Sequence, residues 1–144
     1  MDINEELAMK IWNDVFGADK TMVLDCYGTY ICKFDYGNHT KKRQASDGRM
    51  YFYGWDLDHI RPRSSFSQPD AGDLLNNLEP VHWLNNQEKS DSYPVFTIGG
   101  RSYQIVKCKM CAQEGEEGYG ILDEQNQRVD WKGVSKRFYS TKKP

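Results

Sequence analysis

Apolar positions in the first 16 residues recur with a helical period. Leu7, Ile11, Trp12 and Phe16 stand at i, i+4, i+5 and i+9, which gathers them on one face of a helix over residues 4–16. Gly17 follows, where a helix would end. The pattern then changes. Val23, Leu24, Tyr27, Tyr30, Ile31 and Phe34 enclose Gly28-Thr29, which predicts a β-hairpin over residues 21–34 turning near Tyr27-Gly28. Residues 37–49 are polar around Lys41-Lys42-Arg43 and read as a loop. Tyr51, Phe52, Tyr53, Trp55 and Leu57 form an aromatic strand interrupted by Gly54.

Residues 61–73 hold two prolines, three serines and a glycine, and read as a long loop. Residues 74–81 read as a helical turn followed by extended chain at Pro80. Residues 82–90 read as a helix with His82, Asn85, Asn86 and Lys89 near one face. Residues 96–98 and 103–106 flank Gly99-Gly100, a hairpin with a two-glycine turn. Residues 119–122 and 128–131, either side of Gln125-Asn126-Gln127, read as a last hairpin.

A chain of 144 residues predicts one domain, long enough to bury a core without disulfides or metals. Mean hydropathy is low at -0.81, but 13% aromatic residues and near-balanced charge argue against disorder. No apolar run approaches the roughly 18 residues of a membrane span. The acidic opening Met1-Asp2-Ile3-Asn4-Glu5-Glu6 is unlike a signal peptide. The expectation is therefore a cytoplasmic chain with no membrane partner. The net charge of -2 excludes a generally basic coat for nucleic acid, and leaves room for a local basic site.

The four cysteines are Cys26, Cys32, Cys108 and Cys111. Cys108 and Cys111 have the two-residue gap of a zinc knuckle, so a structural zinc ion there, alone or with the other pair, is one reading. Reduced, partly buried thiols are the other.

The segment richest in chemistry runs from Gly54 to Lys89. Asp58 and His59 are adjacent at a strand end, before a proline-bearing loop. Strand neighbours face opposite sides, but twist into a loop can bring both together. A carboxylate and an imidazole are the parts for a hard divalent cation and a general base. Asn86 offers a neutral oxygen donor. Lys89, about one turn on, can meet a phosphate, as can Arg61 and Arg63, which flank the pair. These parts suit metal-assisted hydrolysis of a phosphodiester.

The residues Asp58-His59, Asn77-Leu78-Glu79-Pro80, and Asn86 with Lys89 resemble the signature of the HNH nucleases, in a His-Asn-Asn version. Asp-His-Ile-x-Pro alone arises by chance on the order of once in 10⁵ positions, and its ordered companions make coincidence remote. The resemblance covers about 40 residues of the chain. It implies an α+β fold with a ββα-metal (His-Me finger) core over residues 50–91. An N-terminal helix and hairpin would pack on that core, and residues 92–144 would form a β-rich extension. It also implies a DNA endonuclease leaving a 5′-phosphate and a 3′-hydroxyl. His59 would be the general base. Asp58 and Asn86 would hold one divalent ion, Mg²⁺ first and Mn²⁺ or Zn²⁺ as options. Asn77, classed with His59 as catalytic, would brace the loop and orient His59 through the backbone. His82 stands where many members carry a zinc-binding cysteine, with the second at Asn85. Neither is cysteine here, so His82 is expected to pack or to contact substrate. Two alternatives stay open: a module of this fold that binds nucleic acid without cutting, and a nuclease active only with a partner, such as an immunity protein or a larger assembly. RNA stays open as a substrate. Sequence specificity and oligomeric state are not legible.

Overall fold

The structure, a computed structural model, describes residues 2–108 and 118–130. The described residues form a mixed α+β structure with two helices and small sheets. In order these are α1 (Glu5–Phe16), β1 (Met22–Leu24), β2 (Tyr30–Cys32), β3 (Lys42–Gln44), β4 (Met50–Phe52), β5 (Trp55–His59), β6 (Leu78–His82), α2 (Trp83–Lys89), β7 (Val95–Ile98), β8 (Arg101–Cys108) and β9 (Gly118–Leu122). Three short 3-10 turns, Arg63–Ser65, Pro69–Gly72 and Leu75–Asn77, fill the stretch between β5 and β6. The chain, read from its length as one domain, divides into two compact units. One comprises Asp2–Leu57 and Pro80–Gln87. The other comprises Asp58–Glu79 and the described residues from Glu88 onward.

In the first unit α1 forms where its period predicts. The Asn4 side chain caps it by accepting from the Leu7 N–H at 3.0 Å. It ends at Gly17, whose φ of 107° suits a residue without Cβ. Ala8, Ile11 and Trp12 are buried. Trp12 and Trp55 are fully buried with ring centroids 5.0 Å apart. Their indole N–H groups donate to the Lys20 and Cys32 carbonyls at 2.9 and 2.8 Å, so neither ring buries an unpaired donor. β1 and β2 pair antiparallel as the hairpin pattern predicts. The expected loop over residues 37–49 instead contains β3, paired antiparallel with β4 in the register Gln44↔Met50. Gly54 separates β4 from β5, and a Cβ there would fall 1.7 Å from the Asn38 carbonyl oxygen. Only glycine allows that approach.

In the second unit β7, β8 and β9 form a three-stranded antiparallel sheet. Phe96, Ile98, Tyr103 and Ile105 alternate inward as strand periodicity demands. Gly99 and Gly100 take φ of 59° and 77°, the two positive angles a tight hairpin turn needs. Of the last expected hairpin, the described residues show the bridge Leu122↔Arg128, with the Asp123 and Val129 N–H groups donating to the Gln127 and Ile121 carbonyls at 2.9 Å. β5 and β6 pair as a separate two-stranded sheet. α2 follows directly, so the candidate residues lie on a strand, an irregular stretch, a strand and a helix in succession.

Candidate active site

The loop between β5 and β6 carries few apolar residues and must be held by polar bonds. Asn77 supplies them. Its side chain is fully buried. Its Oδ1 accepts from the Arg61 N–H at 2.9 Å, and its Nδ2 donates to the Arg61 and Gly72 carbonyls at 3.0 and 2.9 Å. Its own carbonyl accepts from the Ile60 N–H at 2.8 Å. One amide thus ties together both ends of residues 61–72. Asn77 braces the loop, and the catalytic label read from the signature does not suit a side chain spent wholly on backbone.

Arg61 is also spent internally. Its Nε donates to Ser65 Oγ at 3.0 Å, Nη2 to the Ser65 carbonyl at 3.0 Å and Nη1 to the Tyr119 hydroxyl at 3.1 Å. The guanidinium lies 4.1 Å from the Phe66 ring centroid, 4.8 Å from Tyr93 and 5.3 Å from Tyr119. A cation inside three aromatic rings is a structural hub. The expected phosphate contact at Arg61 gives way to that role.

Asp58 and His59 close β5. Asp58 is buried, 5% exposed. Lys89, at the end of α2, is fully buried with its Nζ 3.0 Å from Asp58 Oδ2. The same ammonium donates to the His59 carbonyl at 2.8 Å. Lys89 therefore grips both residues of the Asp-His pair and is not presented to solvent as a phosphate contact. Breaking such a buried pair costs about 3–5 kcal/mol, because one charge is left alone in the interior.

The His59 ring is 17% exposed, and its Nε2 lies 2.8 Å from Asp73 Oδ1. Asp73 stands in the irregular stretch and escaped the sequence reading, since no spacing links it to His59. Arg63 Nε lies 3.2 Å from the same oxygen, and its Nη2 donates to Asp70 at 3.0 Å. Arg63 is nearly half exposed and keeps a cation at the surface beside the His59–Asp73 pair.

The remaining candidates lie in the first unit. His82 is 3% exposed and both ring nitrogens are used. Nε2 donates to the Phe52 carbonyl at 2.9 Å, and Nδ1 accepts from the Leu84 N–H at 3.1 Å. His82, engaged at both nitrogens, caps the start of α2 and is not presented as a substrate contact. Its neighbours are held by Asp25, which the sequence reading missed. Asp25 Oδ1 accepts from the Tyr27 and Thr29 N–H groups, and Oδ2 from the His82 N–H and Asn85 Nδ2. Asn86 is half-buried on α2 in this same unit, whereas Asp58 belongs to the other. Cys32 is buried and Cys26 half-buried. The proposed knuckle lies outside the described residues at Cys111 and in the side chain of Cys108.

The donor set read from the signature is one carboxylate, Asp58, and one amide oxygen, Asn86. Hard oxygen donors suit Mg²⁺, which binds few protein groups and keeps water and phosphate as its other ligands. Among the described residues no three His, Cys, Asp or Glu side chains gather, as a zinc centre would want. Among the described residues no helix is long and apolar enough to cross a membrane. Comparison with protein-family models, curated proteins and solved structures gives no match.

Proposed function

We propose that this chain is a metal-dependent endonuclease of the HNH type that hydrolyses DNA phosphodiester bonds, with β5, β6 and α2 as its ββα-metal core. One observation carries the reading. The adjacent Asp58 and His59 at the end of β5 are both gripped by Lys89, and the loop that follows them is clamped by Asn77. Those four residues come from three separated parts of the signature, and they act on one strand end.

His59 is the general base. Its imidazole takes a proton from water, whose oxygen attacks phosphorus. The bond from phosphorus to the 3′ oxygen breaks, and that oxygen leaves to become a 3′-hydroxyl, with the 5′-phosphate on the other product. The signature assigns Asp58 and Asn86 to a divalent ion, which would supply charge stabilisation to the reaction. Lys89 fixes the Asp58 carboxylate and the His59 backbone. Asn77 sets the loop. Arg63, exposed beside the site, contacts a flanking phosphate.

The test is conversion of supercoiled plasmid with Mg²⁺, Mn²⁺, Zn²⁺ or EDTA. Wild type is expected to nick or linearise the plasmid with Mg²⁺ or Mn²⁺, and EDTA to stop it. His59→Ala is expected to lower the rate by about 10²- to 10⁴-fold, the usual contribution of a positioned base. Intact plasmid in every metal would sink the reading of unassisted cleavage.

A further inference from the structure

A histidine can act as a base only through the ring nitrogen that carries the lone pair, so the partner of the other nitrogen decides the chemistry. His59 Nε2 faces a carboxylate oxygen of Asp73 at 2.8 Å. A carboxylate only accepts, so Nε2 carries a hydrogen, and in the neutral ring the lone pair is then on Nδ1. Both side chains are mostly shielded, at 17% and 16% exposure, so water competes weakly for that bond. The carboxylate is itself held. Arg63 Nε lies 3.2 Å from the same Oδ1. Gly72, next in the chain, is buried against Phe66 and fixed by Asn77 Nδ2 through its carbonyl. The His59 backbone is pinned separately by Lys89. The residue is thus fixed at its carbonyl and at one ring nitrogen.

We propose that Asp73 is the positioning residue of His59: it accepts the Nε2 hydrogen, fixes the ring, and holds Nδ1 as the basic nitrogen. Where a carboxylate serves an imidazole in this way, its removal lets the ring adopt the wrong tautomer although the fold stays intact. This deepens the nuclease reading and rests on it only for the kinetic consequence. The tautomer belongs to the chain alone.

The experiment has two arms. The first is long-range ¹H–¹⁵N correlation of the histidine rings near neutral pH, in wild type, Asp73→Asn and Asp73→Ala, with His59→Gln to assign the signals. His82, pinned at both nitrogens, reports within each spectrum that its own surroundings are intact. His59 is expected as the Nε2–H tautomer in wild type and as a mixture of tautomers in both variants, with His82 unmoved. The second arm is plasmid cleavage. Asp73→Asn is expected to lower kcat by about 10- to 100-fold, the scale of outer hydrogen-bond partners of site histidines, with KM unchanged. Wild-type His59 in the Nδ1–H form overturns the proposal. So does a tautomer, or a kcat, that neither substitution alters. If either variant disturbs His82, the other variant decides, and if both do, the wild-type tautomer decides. If wild type cuts nothing but the tautomer responds to Asp73, the nuclease reading falls and the orienting role of Asp73 stands.

Discussion

Asp47 and Tyr51 show how one surface bond sets the protonation of two groups. The Tyr51 hydroxyl donates to Asp47 Oδ2 at 2.6 Å, and the Arg49 N–H donates to Oδ1 at 2.8 Å. The Tyr51 bond, helped by the Arg49 amide, holds the Asp47 carboxyl below its ordinary range, and the same bond pushes the Tyr51 hydroxyl up. A depressed carboxyl stabilises the fold above its unfolded pKa of about 4 and loses that contribution as pH falls through its lower folded value. A raised phenol does the reverse. It stabilises below its unfolded pKa of about 10 and loses that contribution as pH rises through its higher folded value. Tyr51→Phe should therefore unfold at lower denaturant than wild type near neutral pH, with the gap closing in acid and again in strong alkali. Urea midpoints across pH measure this, and a gap that is constant from acid to neutral would contradict it. Such partnerships are invisible in sequence when the partners are far apart. Asp58, His59 and Asn77 were legible because their order and spacing are fixed by one strand end and one loop. Asp73 lies 14 positions from His59 in a stretch without periodicity. Arg61 was legible as a cation but not as a caged one, because Phe66, Tyr93 and Tyr119 converge on it only in the fold.

Among the elements, Gly54 offers the sharpest test of how close two segments run. It lies between β4 and β5, and its carbonyl accepts from the Trp83 N–H at 3.1 Å. A Cβ there would meet the Asn38 carbonyl oxygen at 1.7 Å. That oxygen belongs to a braced turn. The Asn38 N–H donates to the Asp35 carbonyl, and its side chain accepts from the Thr40 and Lys41 N–H groups. The turn cannot yield without breaking its own bonds. Gly54→Ala is expected to destabilise by about 1–3 kcal/mol or more, the scale of overpacking, and to lower Tm by several degrees. An unchanged Tm would mean that the segments part without cost. Glycine inside the aromatic run signalled this interruption in the sequence. α1 was legible because one face of it is buried, so its apolar residues keep the helical period. β3 was not, because Lys42, Arg43 and Gln44 are polar and the ribbon with β4 has little buried face to impose alternation. What remained was the Asp47-Gly48 pair, with Gly48 at φ 81°, a turn signal inside a segment read as loop.

For the whole molecule, charge decides how the proposed phosphodiester substrate would be held. The chain carries 19 basic and 21 acidic residues, so no uniform field attracts a polyanion. The two compact units also alternate along the chain, and no composition shift marks residues 58, 80 or 88. The sequence gives no reason to assign a basic surface to either unit. The structure then removes several cations from consideration. Arg43 forks onto buried Asp35 through two bonds of 2.8 Å. Arg61 lies among aromatic rings, and Lys89 is buried on Asp58. Arg63 keeps nearly half of its side chain exposed next to His59 and Asp73. If this unit holds DNA, the phosphate contacts near the site are few, and Arg63 is one. Each neutralised phosphate adds about 0.9 to the slope of log affinity against log salt for duplex DNA. On the proposed reading, in a His59→Ala background chosen to suppress cleavage, a further Arg63→Ala should lower that slope by about one and weaken binding alike for unrelated sequences. Arg63→Lys should keep the slope, because the charge remains. Fluorescence anisotropy of a labelled duplex over a salt series reads both quantities. A slope that Arg63→Ala leaves unchanged would remove Arg63 from the phosphate path and leave it only the Asp70 and Asp73 carboxylates as partners.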